Sequence, residues 1–244
     1  MTSTEAAGTG KAPAIRANPA LQTYYESQES YLVYEVVLRG SHHFGFYEKD
    51  TYWPFPVGRS LERMEAKLLS ALALPSGSQI LDAGCGFGPV AISMAKKGMR
   101  VTAIDIIDHH VTKARRNVEK AGLPKGQVTV EKMDYQHLES IASESHDDAK
   151  AAATGFFRIL KPGGRIAFFE AQRSRTSGDY DEGDELAGHL KLVNEYTAMP
   201  TNELSREDYF KDLLEDAGFV DVEFTLPPGT REPREHWSYS ALKA

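Results

Sequence analysis

The stretch Gln79-Ile-Leu-Asp-Ala-Gly-Cys-Gly-Phe-Gly-Pro89 sets a short apolar run against three glycines at alternate positions, and a helix-forming segment follows. This order reads as a strand, a tight turn and a helix start. Gly84, Gly86 and Gly88 can take backbone angles closed to other residues and let a ligand approach the main chain, while the first turn of the following helix offers N–H groups without intrahelical partners. Two readings of such a turn stand: a cradle for a nucleotide-type ligand, or a plain connection. A second apolar run, Met99-Arg-Val-Thr-Ala-Ile-Asp105, ends in a carboxylate about twenty residues beyond the loop. An α/β dinucleotide fold places an acid there for ribose hydroxyls, so the two stretches together favour the cradle.

The loop departs from the Gly-x-Gly-x-x-Gly form of nicotinamide and flavin enzymes, which disfavours an oxidoreductase. Asp82-x-Gly84-x-Gly86-x-Gly88 instead resembles the class I, Rossmann-like S-adenosylmethionine-dependent methyltransferases. A second landmark follows in the expected order: Leu160-Lys-Pro-Gly-Gly164, then the apolar strand Arg165–Glu170. Ahead of the core, Gly40-Ser-His-His-Phe-Gly-Phe-Tyr47 is similar to the segment that closes over the cofactor in sterol- and tocopherol-type small-molecule methyltransferases. The resemblance implies an α/β fold with a doubly wound, mostly parallel sheet and an N-terminal helical lid. It implies S-adenosylmethionine as cofactor, with Asp82, Gly84 and Gly86 along its amino-acid part and Cys85 and Gly88 completing the loop. Asp105 would hold the ribose, Ile106 would flank the adenine, and Asp134-Tyr135 would sit beside the adenine amine. For Asp134 a helix cap is an equal alternative. The implied acceptor is a small, lipophilic metabolite.

With 244 residues, 41% hydrophobic and 26% charged, the chain can build one sizeable core. Its formal net charge of −7 gives no general basis for gripping phosphate backbones, which argues against a nucleic-acid partner. No apolar run reaches the roughly eighteen residues of a membrane span, and the first residues lack the apolar centre of a signal peptide, so a cytosolic protein is expected. The single cysteine, Cys85, allows no internal disulfide and reads as a small loop residue rather than a nucleophile; no metal site is expected.

Residues 1–17 read as a disordered tail, 18–78 as the lid and 79–244 as the core. Helical pattern covers Pro19–Leu38, and Val57–Leu74 carries Leu61, Met64, Leu68 and Leu72 on one face. Trp53-Pro-Phe-Pro56 is an aromatic loop that either lines an acceptor pocket or packs. A helix over about 108–121, a strand at Gln127–Asp134, a helix at Ala149–Leu160, a polar acidic connection at 173–185, a helix near Leu186–Met199 and another from Ser205 complete the pattern, with Phe219–Leu226 and His236–Leu242 as an antiparallel pair. As a catalytic base, His43 and Glu170 are the candidates, with His146 behind them; for His43 a structural role is the simpler reading.

Between the third strand and Leu160 nothing reads as a buried strand, although the resembling families carry a central one there. Central parallel strands are buried on both faces, so this loss removes a core element. The expectation is that Arg165–Glu170 moves in to pair directly with Gln79–Gly84, giving one six-stranded sheet and bringing Glu170 toward the cofactor's methyl-bearing side. Two functions follow: methyl transfer from S-adenosylmethionine to a small lipophilic acceptor, or a non-catalytic or non-methylating member of the fold.

Overall fold

The structure, a computed structural model, describes residues 27, 28, 32–38, 40, 41, 43, 45–47, 53, 55–135, 148–172, 207–225 and 235–243. The tail at 1–17, the acidic connection at 173–185, the helix near 186–199 and His146 lie outside the described residues. In chain order, a π-helical turn at Leu32–Val37 is followed by α1 (Val57–Leu72), β1 (Gln79–Ala83), α2 (Pro89–Lys96), β2 (Arg100–Asp105), α3 (Asp108–Lys120), β3 (Val128–Lys132), α4 (Asp148–Ile159), β4 (Arg165–Gln172), α5 (Glu207–Asp216), β5 (Phe219–Thr225) and β6 (Glu235–Lys243). No helix among the described residues is long and apolar enough to cross a membrane.

β1, β2 and β3 form a parallel sheet in that order, with Ile80 opposite Val101 and Val101 opposite Val128. Parallel strands need crossovers, and α2 and α3 supply them. The core forms where these helices meet the sheet: Ala91, Met94 and Ala95 of α2, Val101 and Ala103 of β2, Val111 and Ala114 of α3, and Val128 and Val130 of β3. Ile104 is fully enclosed, a burial that stabilises the fold by about 1.5–3 kcal/mol. The apolar stripe read on α1 is confirmed at Leu61, Met64 and Leu72, all buried, with Leu68 packed against the same core.

The second half builds its own sheet. β4 pairs antiparallel with β6, from Arg165 opposite Leu242 to Gln172 opposite Glu235, and β6 pairs antiparallel with β5. A second core lies under it, where Leu214 and Phe219 gather Phe156, Phe157, Phe168 and Phe210. The Nζ of Lys243 in β6 donates to the carbonyls of Phe157 and Leu160 at 2.6 and 2.8 Å, capping the last turn of α4, where free carbonyls favour a cation.

The expected single sheet is therefore corrected. There are six described strands, but in two sheets of three, and β4 does not pair with β1. The physical reason lies in β6. It offers β4 an eight-residue antiparallel partner, pairs with β5 on its other side and ties α4 to the unit through Lys243, and the Phe157–Phe219 edge-to-face contact joins α4 to β5. β4 could reach β1 only by carrying that whole unit with it. Contact between the halves is made by side chains instead, with Ala167 of β4 packed against the first core.

Candidate cofactor cradle

At the carboxyl end of β1 the chain turns through Gly84, Gly86 and Gly88, whose φ values of 82°, 53° and 82° lie in the left-handed region that glycine adopts without strain. The N–H groups of Gly84 and Cys85 both donate to Ile104 O at 2.9 Å, so the turn begins as an extension of the β1–β2 ladder. Gly88 N–H closes the turn on Cys85 O, and Pro89 opens α2 at its first position, where its missing N–H costs nothing. A Cβ on Gly88 would also stand 3.4 Å from the Ala114 methyl of α3, so the loop and that helix pack tightly. Gly84, in contrast, is exposed, and the atom nearest to a Cβ there would be Tyr135 Cε1 at 4.0 Å.

Asp105 closes β2 beneath this loop. Its Oδ2 accepts from Gly86 N–H at 2.9 Å, and its Oδ1 accepts from Ile107 N–H at 2.9 Å and faces His110 Nδ1 at 3.2 Å. Burial acts to raise its pKa, but the hydrogen bond and charge of His110 and the two backbone N–H groups outweigh it and hold the carboxyl below its ordinary value. Asp105 is thus a carboxylate locked to the loop. Ile106 beside it is half-buried and Ile107 is buried, so of the two isoleucines Ile106 is the one left toward the surface. Met133 N–H donates to Asp105 O at 3.1 Å, which sets Asp134 and Tyr135 directly past the end of β3 at the same sheet edge. The Tyr135 ring stacks on Phe156 of α4, with centroids 6.1 Å apart and planes 21° apart.

Asp82, in β1 two residues before Gly84, behaves differently. Its Oδ2 is enclosed with no hydrogen-bond partner, and burial, then the negative charge of Asp105, push its pKa from 3.8 up to about 6; His43 and the Ala91 N–H act the other way. An enclosed oxygen of this kind is an acceptor waiting for a donor. The Cys85 thiol is buried in the first core, and burial together with Asp82 and Asp105 pushes its pKa far up, so it is no nucleophile and contributes through its backbone.

The N-terminal segment rests on this cradle. His43 Nε2 lies 3.6 Å from Glu65 of α1, Phe46 is buried with its N–H on Ser60 O, and Gly40 lies against the Phe87 ring. Lys113 of α3 reaches Glu35 of the π-helical turn at 2.6 Å. The structure brings Asp82, Gly84, Cys85, Gly86, Gly88, Asp105, Ile106, Asp134 and Tyr135 to one sheet edge. Glu170 pairs with Trp237 in the second sheet, and its side chain lies outside the described residues. Sequence reasoning missed Glu65, Phe87, His110, Lys113 and Asn117. His110, Lys113 and Asn117 recur at helical spacing on α3, the helix that follows the ribose-type acid, but that spacing alone does not tell an inward face from a solvated one.

Residues 80–164 match the family model described as a methyltransferase domain. Over 219 residues the chain is 52% identical to the S-adenosyl-L-methionine-dependent Diels-Alderase iccD of Talaromyces variabilis, an alignment spanning 85% of this chain and 75% of that protein. The chain belongs to the S-adenosylmethionine-dependent methyltransferase family. Within this family it is also 30% identical over 247 residues to the sterol 24-C-methyltransferase of Eremothecium gossypii, across 90% of this chain and 63% of that protein. Its fold superimposes on the [4+2]-cyclase SpnF with a TM-score of 0.63 at 17% identity, covering 88% of this chain and 94% of the other. The methyltransferase resemblance read from Asp82-x-Gly-x-Gly-x-Gly88 and Leu160-Lys-Pro-Gly-Gly164 is the right one, as is the Rossmann-like fold class.

Proposed function

We propose that the chain binds S-adenosylmethionine in the glycine cradle and uses it without consuming it, promoting a [4+2] cycloaddition within a small lipophilic substrate. The observation that carries this reading is the 52% identity to a Diels-Alderase over 85% of the chain. Methyl transfer to a lipophilic acceptor is the second reading, favoured by the likeness to a sterol methyltransferase.

The residues fit the cofactor. The exposed Gly84 leaves its turn open to close approach, the enclosed Asp82 Oδ2 suits an ammonium donor such as that of the methionine part, and the carboxylate of Asp105 suits ribose hydroxyls. Ile106 and Tyr135 supply apolar surface for the adenine, and Asp134 a carboxylate near its amine. When bound, the cofactor would supply a fixed positive charge at sulfur, and under the second reading its methyl group as well. Residues 18–78 serve as the lid: Glu35 reaches Lys113 of α3 and Leu72 packs in the first core, while His43 on Glu65 and Phe46 on Ser60 tie the segment to its own helix.

A cycloaddition moves no proton and transfers no group, so it asks the protein for two things. One is a pocket that holds diene and alkene in a reactive conformer, and the other is fixed charge aimed at the polarised transition state. A lid closing on a preformed cradle supplies the first by excluding water and restricting the chain. The test is to incubate the purified protein with a linear conjugated polyene bearing an activated alkene, with and without S-adenosylmethionine. The reading predicts a cyclic isomer of unchanged mass, formed faster with the cofactor. A methylated product, or no dependence on the cofactor, contradicts it.

A further inference from the structure

His110 sits on the first turn of α3 with 3% of its surface exposed, and it touches both halves of the cradle. Its Nδ1 lies 3.2 Å from Asp105 Oδ1, and its ring meets the Phe87 ring edge-on at 5.2 Å with planes 86° apart. Phe87 is the residue between Gly86 and Gly88. It is buried, and the same helix holds it a second time, because Asn117 Nδ2 donates to Phe87 O at 2.9 Å. Gly86 in turn donates its N–H to the other oxygen of Asp105. These contacts close a ring: loop to Asp105, Asp105 to His110, His110 to Phe87, and Phe87 back to the loop.

The ring has a consequence for Asp105. A buried carboxylate held at one oxygen only can still rotate as a whole about its Cβ–Cγ bond, which leaves its remaining lone pairs without a fixed direction. Here Gly86 holds Oδ2 while Ile107 and His110 hold Oδ1, so the plane of the group is fixed from both sides. The N–H groups of Gly86 and Ile107 each hold one oxygen from the backbone, and the imidazole adds the side-chain contact that ties the carboxylate to α3.

We infer that His110 is a positioning residue that aims the Asp105 carboxylate at the ribose hydroxyls of the bound cofactor, and so sets the preference for a ribose over a deoxyribose. The inference rests on the proposed placement of the ribose on Asp105. His110 itself touches no ligand in this account. It works by orienting the acid, as second partners do around other polar sites.

The experiment is calorimetric titration of the full chain with S-adenosylhomocysteine and with its 2′-deoxy counterpart, for wild type, His110→Phe and His110→Asn. Phenylalanine keeps the ring packing on Phe87 and removes the donor, whereas asparagine can place an N–H where Nδ1 stands. Wild type is expected to favour the ribose ligand by about tenfold or more, the scale of one well-made hydrogen bond to a charged group. His110→Phe should reduce that ratio to about twofold, mainly by weakening the ribose ligand, and His110→Asn should restore most of it. A role confined to packing would weaken both ligands alike and leave the ratio intact, which would overturn the inference. If His110→Phe gives no folded chain, His110→Leu is judged by the same ratio. A wild type indifferent to the hydroxyl removes the ribose placement and the inference with it; a wild-type preference that survives loss of the donor overturns the inference alone.

Discussion

Asp105 Oδ2 and the Gly86 N–H stand 2.9 Å apart, joining the end of the second strand to the middle glycine of the loop that follows the first. The bond makes one object of two features that the sequence separates by nineteen positions. Asp105→Ala should remove charge-assisted hydrogen bonds both to the loop and to the ribose, costing about 1.5–3 kcal/mol of cofactor binding. Titration with S-adenosylhomocysteine checks it, and an unchanged affinity would exclude this placement.

Asp82 predicts a pH dependence of the opposite sign from that of an ordinary paired acid. Its folded pKa of about 6 exceeds the unfolded value of 3.8, so the folded chain keeps a proton that the unfolded chain has already released. The associated stability is fully present below about pH 3.8 and is lost as the pH rises through about 6, roughly 3 kcal/mol in all. Asp82→Asn abolishes this titration. The difference in urea stability between mutant and wild type, without cofactor, should therefore grow in the mutant's favour from about pH 4 to 6 and then level off. A pH-independent difference would contradict it. The same mutant should bind the cationic cofactor more weakly.

Phe87→Ala would empty the space among Gly40, His109, His110 and Lys113 that this buried ring fills. A loss of about 3–5 kcal/mol in unfolding free energy is expected. Chemical denaturation measures it, and a change under about 1 kcal/mol would mean that the loop does not depend on this packing.

The lid should come loose when Lys113 is changed to Met. The partly exposed pair with Glu35 contributes no more than about 1 kcal/mol, so overall stability should barely move. Protease cleavage within residues 40–56 should nevertheless accelerate, and saturating cofactor should slow it in wild type more than in the mutant. Equal cleavage rates with and without cofactor would argue against closure of this segment.

What the sequence made legible was local. Alternate glycines, an acid at a strand end and a Lys-Pro-Gly-Gly turn each declare their structure within a few residues, so the cradle, the helices on either side and the β5–β6 pair were all placed close to where they lie. The partner of β4 was not legible, because strand pairing depends on what the rest of the chain offers. Arg165–Gln172 could satisfy an edge with β1 or with β6, and only the eight-residue register and the Lys243 cap decide for β6. His110 was hidden for a related reason. A histidine on the first turn of a helix reads as surface until the fold sets Asp105 and Phe87 against it.

The most direct measurement of the central claim follows the methyl group itself. The protein is incubated with methyl-labelled S-adenosylmethionine and a polyene substrate, and label in the product is counted against S-adenosylhomocysteine released. Cyclised product is expected to accumulate over many turnovers with the label still on intact S-adenosylmethionine. One labelled methyl and one S-adenosylhomocysteine for each product molecule would contradict it.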